Sequence, residues 1–176
     1  MKIEDFLSKL TGLNLEWVIL GGYARDKYHG KEPKDLDIIV YNTGEVPIST
    51  MIKLEMAMQK YVHKEHEGSD DGGDGRIEEV LTYKIEGIVV DLIFWTKKHT
   101  TVESVINSFD YNINQYIYDF KSGVSSFLGR NEGMVIKTGE HTIPLERKVR
   151  IEQIARNLGW KISDDFLEVE VPKCPF

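Results

Sequence analysis

Gly21-Gly22-Tyr23-Ala24-Arg25-Asp26-Lys27-Tyr28-His29-Gly30-Lys31-Glu32-Pro33-Lys34-Asp35-Leu36-Asp37 joins a glycine turn to two carboxylates one residue apart, and the fold can be read outward from it. The apolar segment Trp17 to Leu20 ahead of the glycines reads as a buried strand. A second, Leu36 to Val40, carries the carboxylates at its start. Side chains alternate faces along a strand, so Asp35 and Asp37 point the same way and Leu36 between them faces the core. Two like charges this close repel unless one is protonated or a cation lies between them. Mg²⁺ suits such a strand mouth, being a hard ion that commonly binds through one or two carboxylates together with substrate phosphates. Glycines without a Cβ let the backbone turn sharply and bring its N–H groups close to a ligand. Arg25 and Asp26 fall in the first turns of a helix that Gly30 ends, near the phosphate end of such a site. The plainer alternative is a solvated strand end at Lys34, Asp35 and Asp37 after an ordinary Gly21-Gly22 turn.

Taken whole, the pattern Gly-Gly-x-x-Arg-Asp-x-x-x-Gly-x-x-Pro-x-Asp-x-Asp closely resembles the first signature of the class II tRNA nucleotidyltransferases, the CCA-adding enzymes, and of bacterial poly(A) polymerases. Both belong to the DNA polymerase β-like nucleotidyltransferase superfamily. Every fixed position of that signature is met. The resemblance implies an α+β fold with a small mixed sheet flanked by helices, and a third carboxylate on a later strand. Asp91 is the candidate. Val80 to Ile85 and Ile88 to Trp95 are rich in β-branched and aromatic residues, and only Glu86-Gly87 separates them, which reads as a tight hairpin. Asp91 lies amid the apolar second strand, where a carboxylate is costly to desolvate unless it is paired or holds a metal. The alternative is a partly exposed strand residue.

Ser108-Phe109-Asp110-Tyr111-Asn112-Ile113-Asn114, with Tyr118-Asp119 after it, is similar to the second family signature, usually written Arg-Arg-Asp-Phe-Thr-Ile-Asn with Ala-Tyr-Asp following. Asp110, Ile113 and Asn114 match, and Tyr111 supplies the aromatic. In the family this segment contacts ribose and triphosphate, which implies that Asp110 and Asn114 read the ribose. Ser108 and Phe109 stand where the two arginines would be, so two planar guanidinium forks suited to phosphate are missing. The triphosphate grip must come from elsewhere or be weak. Asp110 as a helix cap and Asn114 as a core-edge polar residue remain open readings.

Leu145 to Leu158 reads as a helix that begins near Pro144 and stops at Gly159, with an apolar stripe of Leu145, Val149, Ile151 or Ile154, and Leu158. Arg147, Lys148, Arg150 and Arg156 fall on its other faces. Residues 145–162 are similar to the start of the family's neck, and these arginines are candidates to replace the missing pair or to contact an acceptor strand. A plain surface helix is the alternative. The resemblance runs from about Trp17 to Ile162. The neck motif Glu-Asp-x-x-Arg, which selects CTP or ATP in class II enzymes, is not found.

The chain has 176 residues and a formal net charge of −7. That length suits a single catalytic head domain over 1–176 and is too short for head, neck, body and tail. The charge does not support a large RNA footprint, which normally rests on a basic patch. The single cysteine, Cys174, excludes an internal disulfide and fits a reducing, cytoplasmic setting. Ile3, Phe6, Leu7 and Leu10 have the spacing of a short amphipathic helix, not of a signal peptide, and no apolar run is long enough to span a membrane. A helix is expected over about Ser49 to Tyr61. His63 to Gly75, polar and glycine-rich, reads as a mobile surface loop and a candidate lid over the site. It matches neither an EF-hand nor a zinc helix.

The expected activity, implied by the resemblance, is two-metal transfer of a nucleotide from an NTP to a hydroxyl, with Mg²⁺ held by Asp35, Asp37 and Asp91. Gly21 and Gly22 would offer backbone donors to the β- and γ-phosphates. The acceptor could be the 3′ end of a tRNA or other RNA. The alternatives are a stand-alone enzyme modifying a protein or small molecule, and a nucleotide-binding module without catalysis.

Overall fold

The computed structural model describes residues 1–58, 62–67, 76–139 and 142–167 of the chain. Helix α1 (Ile3–Gly12) buries Ile3, Phe6, Leu7 and Leu10, the expected stripe. Fully buried side chains such as Phe6 and Leu10 each contribute on the order of 2 kcal/mol of transfer free energy. Strand β1 (Trp17–Leu20) ends where Gly21 takes φ 78° and ψ −131°, a conformation open essentially to glycine, and turns the chain into α2 (Gly22–Tyr28). His29 caps α2, and Gly30 at φ 66° ends it. Strand β2 (Asp35–Val40) follows, then α3 (Ile48–Met58), β3 (Val62–Glu67), β4 (Ile77–Ile85) and β5 (Ile88–Trp95). Glu86 and Gly87 both have positive φ, 51° and 84°, which is the requirement of a type I′ hairpin turn. After α4 (Val102–Asn107) come β6 (Tyr116–Asp119), β7 (Val124–Phe127), β8 (Met134–Val135), α5 (Leu145–Leu158) and β9 (Lys161–Ile162).

Seven strands form one mixed sheet in the order β3-β4-β5-β2-β1-β6-β7, while β8 and β9 form a separate parallel pair. Among the described residues, only β2 and β5 run parallel within the large sheet. The fold is thus α+β, as expected, with alternation sorting the strand residues into two faces. Ile19, Leu36, Ile38, Val90 and Leu92 pack on one face with residues of α1 and α3. Val18, Leu20, Ile39 and Trp95 pack on the other with Val105 and Ile106 of α4. A third cluster joins Ala24 of α2 and Tyr111 to Ile151 and Ala155 of α5 and to Trp160. Among the described residues no helix is long and apolar enough to cross a membrane.

Three expectations change. His63 to Glu67 is not loop but part of β3, paired antiparallel with β4, and β4 itself starts at Ile77 instead of Val80. The remainder of the expected lid, residues 68–75, lies outside the described residues, as do 59–61 at the end of the expected helix. On α5, Leu145 and Val149 are 73% and 57% exposed, while Ile151 and Ala155 are buried. The small Ala155 is buried in the cluster that also holds Ala24 of α2, so the buried stripe is rotated away from the one that large apolar residues suggested.

Candidate active site

A cleft of about 590 Å³ opens where the carboxyl end of β1, the Gly21-Gly22 turn and the start of β2 meet α5. Asp35 and Asp37 both line it, and Leu36 between them is buried in the core, as alternation requires. Asp37 Oδ2 lies 3.9 Å from where a Cβ on either glycine would stand, so the turn and the carboxylate face each other closely. The Gly21 N–H donates to the Tyr116 carbonyl at 3.1 Å. Of the two expected backbone donors, only that of Gly22 remains, at the first position of α2, where no intrahelical acceptor precedes it.

The parallel register sets Asp37 directly beside Asp91. Burial, and then the charges of Asp35 and Asp91, push the Asp37 carboxyl up to about 7, while Arg150 and Arg25 act in the opposite sense. Asp91 shares this face of the sheet but does not line the cleft. Its Oδ1 accepts a 2.6 Å hydrogen bond from the Thr82 hydroxyl, its cross-strand neighbour on β4. Among the described residues no group of three or more His, Cys, Asp or Glu side chains is arranged to hold an ion. The expected triad of ligands is therefore a pair facing the cleft, with Asp91 alongside and engaged by Thr82. Two hard carboxylate donors with raised mutual repulsion nevertheless match what Mg²⁺ takes from a protein when substrate phosphates complete its shell.

The remaining predicted residues gather on the opposite wall. Arg25 is buried; its Nε donates to Asp26 Oδ1 at 3.0 Å and its Nη1 to Asn114 Oδ1 at 2.7 Å. Asp110, only 8% exposed, is held by two guanidinium groups: Arg76 Nη2 on Oδ1 at 2.8 Å and Arg147 Nη1 on Oδ2 at 2.7 Å. Arg76 also donates to the Ser108 carbonyl. Phe109, in an arginine position of the second signature, packs its ring 5.9 Å from that of Trp95, and both line the cleft. Two guanidinium groups thus approach Asp110, from Arg76 just before β4 and from Arg147 of α5.

Arg76 was not among the predicted site residues. Its only sequence signal was a lone cation at the boundary between a polar segment and an apolar strand. Arg147 and Arg150 line the cleft together with Ile151 and Ile154, the i, i+3, i+4, i+7 face of α5, whereas Arg156 pairs with Glu152 at 2.5 Å away from it. Among the described residues, six cationic side chains line the cleft against five acidic ones, in a chain that is acidic overall.

A β1-turn-α2 glycine corner facing carboxylates on β2, in this strand order, is the fold of the nucleotidyltransferase head domain. In particular, the chain is similar to a tRNA-processing enzyme in an apo form, with a TM-score of 0.59 and 18% identity over 93% of this chain and 44% of that one. It is similar to a tRNA nucleotidyltransferase complexed with a primer tRNA and an incoming ATP analogue, with a TM-score of 0.56 and 19% identity over 90% of this chain and 46% of that one. A Thermotoga maritima CCA-adding enzyme complexed with tRNA matches with a TM-score of 0.57 and 16% identity over 88% and 37%. The chain spans less than half the length of each. No protein-family model matches the sequence, and no match was found among curated proteins.

Proposed function

We propose that the protein is a metal-dependent nucleotidyltransferase that moves a nucleoside monophosphate from an NTP to a hydroxyl acceptor and releases pyrophosphate. The observation that carries this reading is the opposition of Asp35 and Asp37 to the Gly21-Gly22 turn within a cation-rich cleft. Asp35 and Asp37, with Asp91 in register beside them, would hold Mg²⁺ ions, which supply activation of the attacking hydroxyl and neutralisation of the departing pyrophosphate. The chain's own residues bind and orient. The Gly22 N–H meets phosphate oxygens, while the apolar wall of Ile93, Trp95 and Phe109 excludes water. Asn114, its Oδ1 taken by Arg25, has its amide N–H₂ to offer to a ribose hydroxyl, and Asp110 orders Arg76 and Arg147.

The described core is one catalytic head domain, α5 corresponds to the start of a neck, and the setting is cytoplasmic. An RNA 3′ end, such as that of tRNA, is the acceptor suggested by the structural neighbours. A protein or small-molecule acceptor is the second reading, favoured by the net charge of −7, since RNA binding rests on phosphate neutralisation. Incubation with each labelled NTP, Mg²⁺ and either total RNA or protein extract tests both readings. Mg²⁺-dependent labelling of one pool, abolished in Asp37→Ala, is the expected result; undiminished labelling by Asp37→Ala would sink the assignment.

A further inference from the structure

Four arginines line the cleft, and three of them are already engaged. Arg25 is held by Asp26 and Asn114, and Arg76 and Arg147 both pair with Asp110. Arg150 differs: among the described residues it makes no hydrogen bond or ion pair, and it is exposed. It stands on the cleft-lining face of α5, one turn after Arg147, and its charge is felt by Asp37. An unengaged guanidinium over a carboxylate pair that would carry Mg²⁺ is placed for an oxyanion lying between them.

We propose that Arg150 grips the polyphosphate of the incoming nucleoside triphosphate, taking over from the closing helix a task that Ser108 and Phe109 cannot perform at the second signature. The inference rests on the nucleotidyltransferase reading above. Arg76 and Arg147 are positioning residues in this scheme, because their forks are committed to Asp110 and order the Ser108 to Asn114 segment. Among the described residues, Arg150 alone brings a planar fork to the cleft with no side-chain partner to displace. Lys34 on the rim adds charge but not bidentate geometry.

Calorimetric titration of the full chain in Mg²⁺ with ATP and, separately, with inorganic tripolyphosphate tests the proposal. Arg150→Gln should weaken both by roughly 10- to 100-fold, the loss expected for hydrogen bonds to a charged group. Its melting temperature should match that of the wild type, since no hydrogen bond is lost. Arg156→Gln, which removes an equal charge outside the cleft, should bind as the wild type does. Unchanged affinity of Arg150→Gln for both ligands, a loss confined to ATP, or an equal loss in Arg156→Gln overturns the proposal and leaves the nucleotidyltransferase reading standing. Failure of the wild type to bind ATP at all overturns that reading, and the proposal with it.

Discussion

The two walls of the cleft treat their carboxylates in opposite ways. On the sheet side, Asp35 and Asp37 line the cleft with Asp91 in register beside Asp37; the Thr82 hydroxyl is spent on Asp91, the charges of Arg150 and Arg25 only partly offset the repulsion, and Asp37 is driven toward neutrality. On the opposite wall, Asp110 is more completely compensated than any of them, with a guanidinium on each oxygen. A carboxylate left uncompensated in a cleft is a demand for an external cation, whereas one neutralised internally is a structural tie. Motif identity alone does not separate these roles, since Asp37 and Asp110 both sit in signature positions.

The largest expected contrast lies between Asp37→Ala and Asp110→Ala. Asp37→Ala should lower nucleotide incorporation by about a thousand-fold or more, because losing a metal forfeits several kcal/mol of transition-state stabilisation. Metal-free, it should melt no lower than the wild type. Asp110→Ala should instead unfold earlier, by about 3 kcal/mol in denaturant titration, because it strands Arg76 and Arg147 without their shared partner. Equal melting of Asp110→Ala and wild type would erase the distinction between the walls.

The next effect is one of pH. Asp37 has a folded value of about 7 against 3.8 in an unfolded chain, so the folded protein holds that proton more tightly. The stability tied to it is complete below about pH 4 and is lost as pH rises through 7. Metal-free protein should therefore lose on the order of 2 kcal/mol between pH 5 and pH 8, a slope that Asp37→Asn removes and saturating Mg²⁺ flattens. Thermal melts of the two proteins across that range, with and without Mg²⁺, measure it; a slope that persists in Asp37→Asn assigns the effect elsewhere. The smallest effect belongs to Thr82→Val, which takes from the sheet wall its one hydroxyl donor. It should cost about 1 kcal/mol without Mg²⁺ and less with it, and a loss that is the same in both conditions would mean Asp91 gains nothing from the ion.

What the sequence made legible was local. Strand β1 and hairpin β4–β5 were readable from apolar runs and from the two-residue gap Glu86-Gly87, where Gly87 takes a positive φ freely and Glu86 adopts one as the turn requires. Helix α5 was readable from Pro144 and Gly159, the latter in the left-handed region. The face that α5 buries was not, because hydrophobicity favoured Leu145 and Val149 over Ala155, and the packing of the surrounding cluster decides between them. Asp35 and Asp37 announced themselves by spacing. Arg76 did not, since its value comes from Asp110 and the Ser108 carbonyl, contacts made by folding and not by neighbourhood in the chain. The engagement of Asp91 by Thr82 was hidden for the same reason, although strand register would place the two opposite once the hairpin turn is fixed.

The lone parallel pairing in the large sheet has a kinetic consequence. Asp37 and Asp91 become neighbours across a stretch of chain that holds α3, β3 and β4, a loop closure of high contact order. The proposed ion site therefore cannot preassemble on any local hairpin, and on that proposal Mg²⁺ would select only molecules in which that crossover is already complete. Added during refolding, the ion should slow unfolding without speeding the folding limb, a late checkpoint placed on the slowest contact of the chain.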